Sequence, residues 1–348
     1  MKISILFKFI NGPWGGGNQF LKALRNEFIK MGVYEEIPEK ADAILFNSYP
    51  FGNLDYFQKI YDLKNKYGKL IFHRLDGPIF LARGCDLEID QISFEFNNLF
   101  ADGTIFQSNW VKDESEKLGM KNTEHYKVII NAPDISVFNT RNALPSLEGK
   151  FKLIASSWST NARKGFDIYQ WLDENLDFNN YEFTFVGNSP VKFKNIKHIK
   201  AVPSDKLAQI LKNQHLYISA SKVEACSNAI IEALHLGLPC IGYNNGGNRE
   251  IMSNAGELFN TNEELLAQIQ KIENNYLSYV KAINMPTVEE IARSYYAFMK
   301  KTSDKLNKKS SIKLSSQKLK NFNMLLSEKG TTINYESNVF SRIKNIFK

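Results

Sequence analysis

The chain has 348 residues, 43% of them hydrophobic and 23% charged, a globular composition with room for two domains of ordinary size. No apolar run reaches the roughly 18 residues of a membrane span, and the opening MKISILFKFI is broken by Lys8 and runs into Asn11-Gly12-Pro13 with no small-residue cleavage pattern, so it reads as a first strand rather than a leader. The formal charge of +7 lies wholly in residues 302–348, which hold ten Lys/Arg and three Asp/Glu and leave 34 of each sign in residues 1–301; the neutral body argues against a basic nucleic-acid groove, and the tail suits an anionic surface.

Strand-like and helix-like segments alternate for about 300 residues, the pattern of α/β folds with parallel sheets. In the first half, strands are predicted at Lys2–Ile10, Ala43–Asn47, Lys69–Arg74, Gly103–Ser108 and Tyr126–Asn131, and helices at Gln19–Met31, Leu54–Tyr67, Glu88–Phe100 and Trp110–Leu118. Asn139–Gly149 is polar with Pro and Gly, a linker by composition. The second half opens with the strand FKLIASSW at Phe151. Helix Lys164–Leu176, strand Glu182–Val186, a short strand near Ile196–Val202, helix Asp205–Lys212 and strand Leu216–Ala220 follow. A helix from Ala229 to Leu236, a further short strand and, after Pro286, a helix at Thr287–Lys301 complete the body. Cys85, Cys226 and Cys240 are odd in number and lack metal-ligand spacing, which suits a reducing cytoplasm.

Four places along this frame carry chemistry. Gly15-Gly16-Gly17-Asn18 follows the first strand, where glycines let a backbone approach a phosphate; as a plain tight turn it has an equally ready explanation. No Lys-Ser/Thr follows, which excludes a P-loop. His73-Arg74-Leu75-Asp76 ends the third strand, a position suited to chemistry; the blander reading is a loop held by an Arg–Asp pair. Lys164 opens a predicted helix, where a cation opposes the dipole and an anion is expected to hold it. Finally, SKVEACSNAIIEALHLGLPCIGYNNGGNREIM (221–252) sets Glu224 and Glu232 eight positions apart around a turn whose Ser227 and Asn228 are good N-cap residues. A phosphate cradle flanked by two hydroxyl-reading carboxylates fits a sugar carried on a nucleoside diphosphate. The plainer reading is a surface helix with Glu232 solvated.

The last segment resembles the E-x7-E motif of retaining GT-B glycosyltransferases of family four, the glycosyl transferases group 1, in the form E-A-C-S-N-A-I-I-E-A-L followed by G-L-P and G-G-x-x-E. The resemblance is strong at 221–252, moderate at 151–166 and weak in the first half. It implies two Rossmann-like domains with parallel sheets facing a central cleft. The first is the acceptor-side domain, residues 1–140, joined by a linker at 141–150 to a nucleotide-sugar domain, residues 151–285. A helix at 286–301 crosses back, and residues 302–348 form the basic tail. It implies catalytic roles for His73, Glu224 and Lys164, with His73 on the transferred sugar. Donor binding falls to Gly15, Gly16, Arg163, Ser227, Asn228, Glu232, Gly246 and Gly247, and the acceptor side to Arg74 and Asp76. Within this set Glu232 takes the ribose hydroxyls, Glu224 and Gly246-Gly247 hold the donor sugar, and Lys164 neutralises the leaving diphosphate. Retention of anomeric configuration is implied, with no metal and no cofactor beyond the nucleotide sugar.

One departure stands out: Trp158 occupies the place of the family's second cation, an Arg six positions before the Lys, with a plain core position as its blander alternative. Arg163 and the hydroxyls of Ser157 and Ser159 are the available substitutes. Asp86-Leu87-Glu88-Ile89-Asp90 resembles an acidic metal motif of another glycosyltransferase fold, but acids in the first turn of a helix also favour its dipole. Val339, Phe340, Ile343, Ile346 and Phe347 share a helical face, which would suit an anionic membrane and a lipid-linked glycan acceptor at the cytoplasmic face; a solvated tail or packing helix is the equal alternative. Against the glycosyltransferase stand a sugar-nucleotide epimerase of the same fold and a catalytically silent binding subunit, the latter favoured by the missing Arg.

Overall fold

The computed structural model describes residues 1–10, 16–47, 54–121, 124–141, 143–306, 320–322 and 324. Gly15 and the tail segment around Val339–Phe347 lie outside them. Two compact units divide the chain: unit 1 holds Met1–Lys8, Arg25–Ile129 and Ala292–Lys348, and unit 2 holds Phe9–Leu24 and Ile130–Ile291.

Unit 1 is built on five parallel strands in sequence order, β1 (Ile3–Leu6), β2 (Ala43–Asn47), β3 (Leu70–Leu75), β4 (Gly103–Phe106) and β5 (Tyr126–Val128). Between and after them run helices α1 (Gly16–Lys30), α2 (Leu54–Tyr67), α3 (Ile79–Arg83), α4 (Leu87–Phe100) and α5 (Asn109–Lys117). The β1, β2 and β4 strands are buried along their whole length, as continuous apolar runs covered on both faces must be. Ser108, predicted as the last residue of a strand, instead caps α5 by accepting from the Val111 N–H at 3.2 Å. An aromatic core of Phe46, Phe57, Phe96 and Phe100 fills one face. Phe322, from the segment predicted as a basic tail, is buried in that core, 5.4 Å from Phe100 and 5.9 Å from Phe57 between ring centroids.

Unit 2 is built on six parallel strands, β6 (Phe151–Ser157), β7 (Tyr181–Gly187), β8 (Lys197–Ile199), β9 (Leu216–Ser219), β10 (Cys240–Tyr243) and β11 (Gly256–Phe259), in the order β11-β10-β9-β6-β7-β8. The helices α6 (Phe166–Asn175), α7 (Ser204–Lys212), α8 (Asn228–His235), α9 (Asn248–Met252), α10 (Asn262–Asn274) and α11 (Tyr276–Lys281) cover it, and α12 (Val288–Leu306) leads back to unit 1. From β6 the chain winds outward to β7 and β8, then returns on the other side to β9. The carboxyl ends of β6 and β9 therefore flank the point where the winding reverses, where open α/β sheets bind ligands. Strand alternation sends Leu153 and Ala155 into one core layer and Ile154 into the other, beside Ile230, Ile231, Ala233 and Leu234 of α8. Helix α10 and strand β11 have no counterpart among the predicted elements, although Thr261 caps α10 and Leu265, Ile269 and Ile272 follow its period.

The polar stretch at 139–149 is pinned to unit 2 rather than free. Arg141 is buried and donates to the Gln214 carbonyl at 2.7 Å, the Gly237 carbonyl at 2.8 Å and the Tyr276 hydroxyl at 2.6 Å. Arg141→Met keeps the apolar stem but strands three buried oxygens, each worth about 1–3 kcal/mol unsatisfied. A drop in stability of about 3 kcal/mol is expected in urea unfolding; a midpoint equal to that of the wild type would contradict the role of the pin.

Candidate functional site

The loops beyond β6, β9 and β10 interlock at one edge of the unit 2 sheet. After β6, Ala162–Lys164 makes a 3-10 turn ended by Gly165 at φ 75°, and α6 starts only at Phe166, so Lys164 precedes the predicted helix rather than opening it. Arg163 accepts at its carbonyl from the Lys222 N–H at 2.8 Å, tying this loop to the one beyond β9. A Cβ at Gly165 would overlap the Ala220 carbonyl oxygen, and one at Gly246 (φ 88°) would overlap that of Glu224. The Glu224 carbonyl also accepts from the Gly247 N–H at 2.8 Å. Three chain segments thus approach as closely as backbones can, and glycine is what permits it.

Tyr169 supports this assembly from beneath. Its fully buried hydroxyl accepts from the Ala220 N–H at 3.0 Å and donates to the Ile218 carbonyl at 3.3 Å. Burial pushes its ionisation far up, so the phenol stays neutral. Nothing in the sequence separates this tyrosine from an ordinary core aromatic on α6.

Of the two helix-capping residues, Ser227 is the cap. Its hydroxyl accepts from the Ile230 N–H at 3.4 Å, and Asn228 is the first helical residue. Asn228 takes a hydrogen bond at its side-chain oxygen from Asn131, 3.1 Å away, a residue the sequence reading did not single out. A Cβ at Gly16 would overlap the Asn228 amide, so the glycine turn and the start of α8 are in contact. Asn18 closes that turn with two bonds of 3.0 Å to the Ile10 N–H and carbonyl.

The Lys164 ammonium is held by the Glu224 carboxylate. The anion expected at Lys164 is therefore, in this structure, the very carboxylate expected on the donor sugar. Glu232 lies one turn into α8, half-buried, and burial pushes its carboxyl up to about 8. An acid so desolvated, one turn into a helix at this end of the sheet, marks a ligand-reading group more readily than a solvated surface residue.

A family model described as "Glycosyl transferases group 1" matches residues 177–285. That stretch contains the whole Glu-pair segment. The sucrose-phosphate synthase from Thermosynechococcus elongatus superposes with a TM-score of 0.64 at 13% identity, over 87% of this chain and 99% of that one. Anabaena HepE in complex with UDP gives 0.64 at 15% identity over 88% and 100%, and the lipopolysaccharide outer core galactosyltransferase WaaB gives 0.62 at 12% over 86% and 99%. The fold is that of the GT-B glycosyltransferase structures, and residues 177–285 within it resemble the group 1 family. No curated protein matches it at sequence level.

Of the residues expected to act from the first half, His73 and Arg74 are fully buried and Asp76 is partly exposed. His73 is 0% exposed, stacked on Phe46 and edge-on to Phe96, with Nδ1 2.8 Å from the Asn97 side-chain oxygen. Burial lowers its ionisation to about 4, so the ring is neutral, and it presents no surface to a sugar. Arg74 is likewise 0% exposed: it pairs with Asp76 at 2.6 Å, with the Asn47 side chain, and with the Tyr295 hydroxyl at 3.2 Å. Asp76 also accepts from Asn47 at 2.6 Å and Gln107 at 3.1 Å. This is the arginine–aspartate loop anchor that formed the blander alternative, extended by Asn47, Gln107 and Tyr295.

Trp158 is not a core residue: its side chain is 47% exposed. The acidic run 86–90 does not gather a metal set; Asp90 instead accepts from the Ile79 and Phe80 N–H groups, both at 2.8 Å, and Asp86 faces Arg83 at 3.7 Å. Among the described residues no cluster of three or more metal-ligating side chains occurs, and no helix is long and apolar enough to cross a membrane.

Proposed function

We propose that the protein is a retaining glycosyltransferase that moves a sugar from a nucleoside-diphosphate donor to a glycan or lipid-linked glycan acceptor. The observation that carries this reading is the convergence of Lys164, Glu224, the Ser227-capped start of α8 and the Gly246-Gly247 turn at the winding reversal of unit 2, with desolvated Glu232 on the same helix. The similarly folded Anabaena HepE holds UDP and UDP-glucose, which supports such a donor.

Breaking the sugar–phosphate bond develops negative charge on the diphosphate and positive charge at the anomeric carbon. In the proposed reaction Lys164 leaves Glu224 for the diphosphate, and the free N–H groups at the start of α8 add a fixed positive field. Arg163 supplies the second cation in place of the Arg that Trp158 displaces, so charge compensation is assigned to the protein rather than to a metal. Glu224, released from the lysine, accepts from sugar hydroxyls with the Gly246-Gly247 backbone beside it, and Glu232 accepts from the ribose. The acceptor hydroxyl attacks from the face the leaving phosphate occupies, the phosphate taking its proton, which preserves anomeric configuration.

Incubation with UDP-, GDP- and dTDP-sugars, with free nucleoside diphosphate as the readout, tests the proposal. Release by transfer or slow donor hydrolysis is expected. Sugar interconversion without release would make the protein an epimerase, and tight donor binding without turnover would make it a silent subunit.

A further inference from the structure

Trp158 lies in the loop beyond β6, one residue past the strand end, at the winding reversal. Isolated apolar residues on a surface need no special account; this one differs because its backbone is fixed on every side. The Ser157 carbonyl accepts from the Asn188 N–H at 2.9 Å, and the Trp158 carbonyl accepts from the Asn188 side chain at 2.8 Å. The Ser157 hydroxyl bonds to the Ser159 carbonyl at 2.7 Å, and the Asn161 N–H reaches the Ser159 hydroxyl at 3.2 Å. Gly187 (φ 126°) lets β7 press on this loop so closely that a Cβ would overlap the Ser157 carbonyl. The largest apolar side chain of the site edge is thus held in water on a preorganised loop, the economical arrangement for an aromatic contact.

The strand ends at Ser157, so the loops on either side of it set the direction. Lys164 and Glu224 occupy the β9 flank of the β6 loop, whereas the Asn188 tether puts Trp158 on the β7 flank. The anionic part of a ligand is therefore directed to one flank, and a flat apolar group beyond the ribose would meet the indole on the other.

We propose that Trp158 is the platform on which the nucleobase of the donor stacks. This rests on the nucleotide-sugar reading of the same site. An indole face takes any base, so the stack contributes affinity with little discrimination among bases.

Calorimetric titration of the full chain and of Trp158→Ala and Trp158→Phe with UDP, GDP, ADP and inorganic pyrophosphate is the test, with melting curves as the folding control. Trp158→Ala is expected to bind the nucleoside diphosphate roughly 5- to 150-fold more weakly, with pyrophosphate binding unchanged, and Trp158→Phe is expected to recover most of the loss. Equal nucleotide affinity in Trp158→Ala, or a matching loss for pyrophosphate, would overturn the platform while leaving the function standing. Failure of the wild type to bind any nucleotide would strike the nucleotide-sugar reading itself and the platform with it.

Discussion

Glu232→Ala is expected to reduce donor binding and transfer by about 10²–10⁴-fold, the loss of two charge-assisted hydrogen bonds at ~1.5–3 kcal/mol each. The fold should survive, because the carboxyl makes no contact on which α8 depends: that helix is held by Ile230, Ile231, Ala233 and Leu234. Glu232→Gln separates the charge from the shape. The folded carboxyl titrates at about 8 against 4.5 for an unperturbed glutamate, so between these values the native state holds a proton that the unfolded chain has released. Native stability therefore falls as pH rises through this window, and the full cost stands above pH 8. Melting temperatures of Glu232→Gln should exceed those of the wild type by a margin that widens from pH 5 to 8 and then levels off. Ribose hydroxyls donate to the ionised form, so donor binding below pH 8 should release a proton, visible as a buffer-dependent calorimetric enthalpy. Unchanged kinetics in Glu232→Ala would refute the ribose role.

Gly246→Ala and Gly165→Ala should each cost about 3–5 kcal/mol, combining left-handed backbone strain with overlap on a carbonyl that cannot retreat. For a unit of this size that corresponds to a fall in melting temperature of roughly 6–20 °C. Donor turnover should fall with it, since both overlaps push directly on the Glu224 loop. Gly17→Ala is the control: an added methyl meets nothing within 4 Å at this helical position, and a gain of about 0.5–1 kcal/mol is expected. If Gly246→Ala melts with the wild type, the close approach of the loops is not what shapes the site.

Much of the loop cluster of unit 2 was legible in the residues because its signals are local. Ser227 and the apolar period after it specify a capped helix whatever the rest of the chain does, and Gly246, Gly247 and Pro239 mark the turns that frame it. Lys164 was singled out as a cation opening a helix, whereas it ends the turn before α6 and pairs with Glu224. The resemblance of 221–252 to the group 1 glycosyltransferases rests on the same short-range string.

His73 and Arg74 were not legible in the same way. A strand end looks alike in sequence whether its side chains emerge into solvent or are covered, and it is α4, with Phe96 and Asn97, that encloses the histidine. Arg74 is buried by Asn47, Asp76 and Tyr295, the last 221 positions away. Trp158 shows the converse: an aromatic side chain suggests a core, but the tethers to Asn188 hold it outward. Sequence by itself determined the alternation of strands and helices, the capped Glu-pair helix and the glycine turns beside it, because periodicity, capping and glycine conformation act over a few residues. Only the tertiary structure decided the order of the strands, the reversal between β6 and β9, and which polar groups face water, because burial and its cost in charge depend on residues brought together from far apart in the chain.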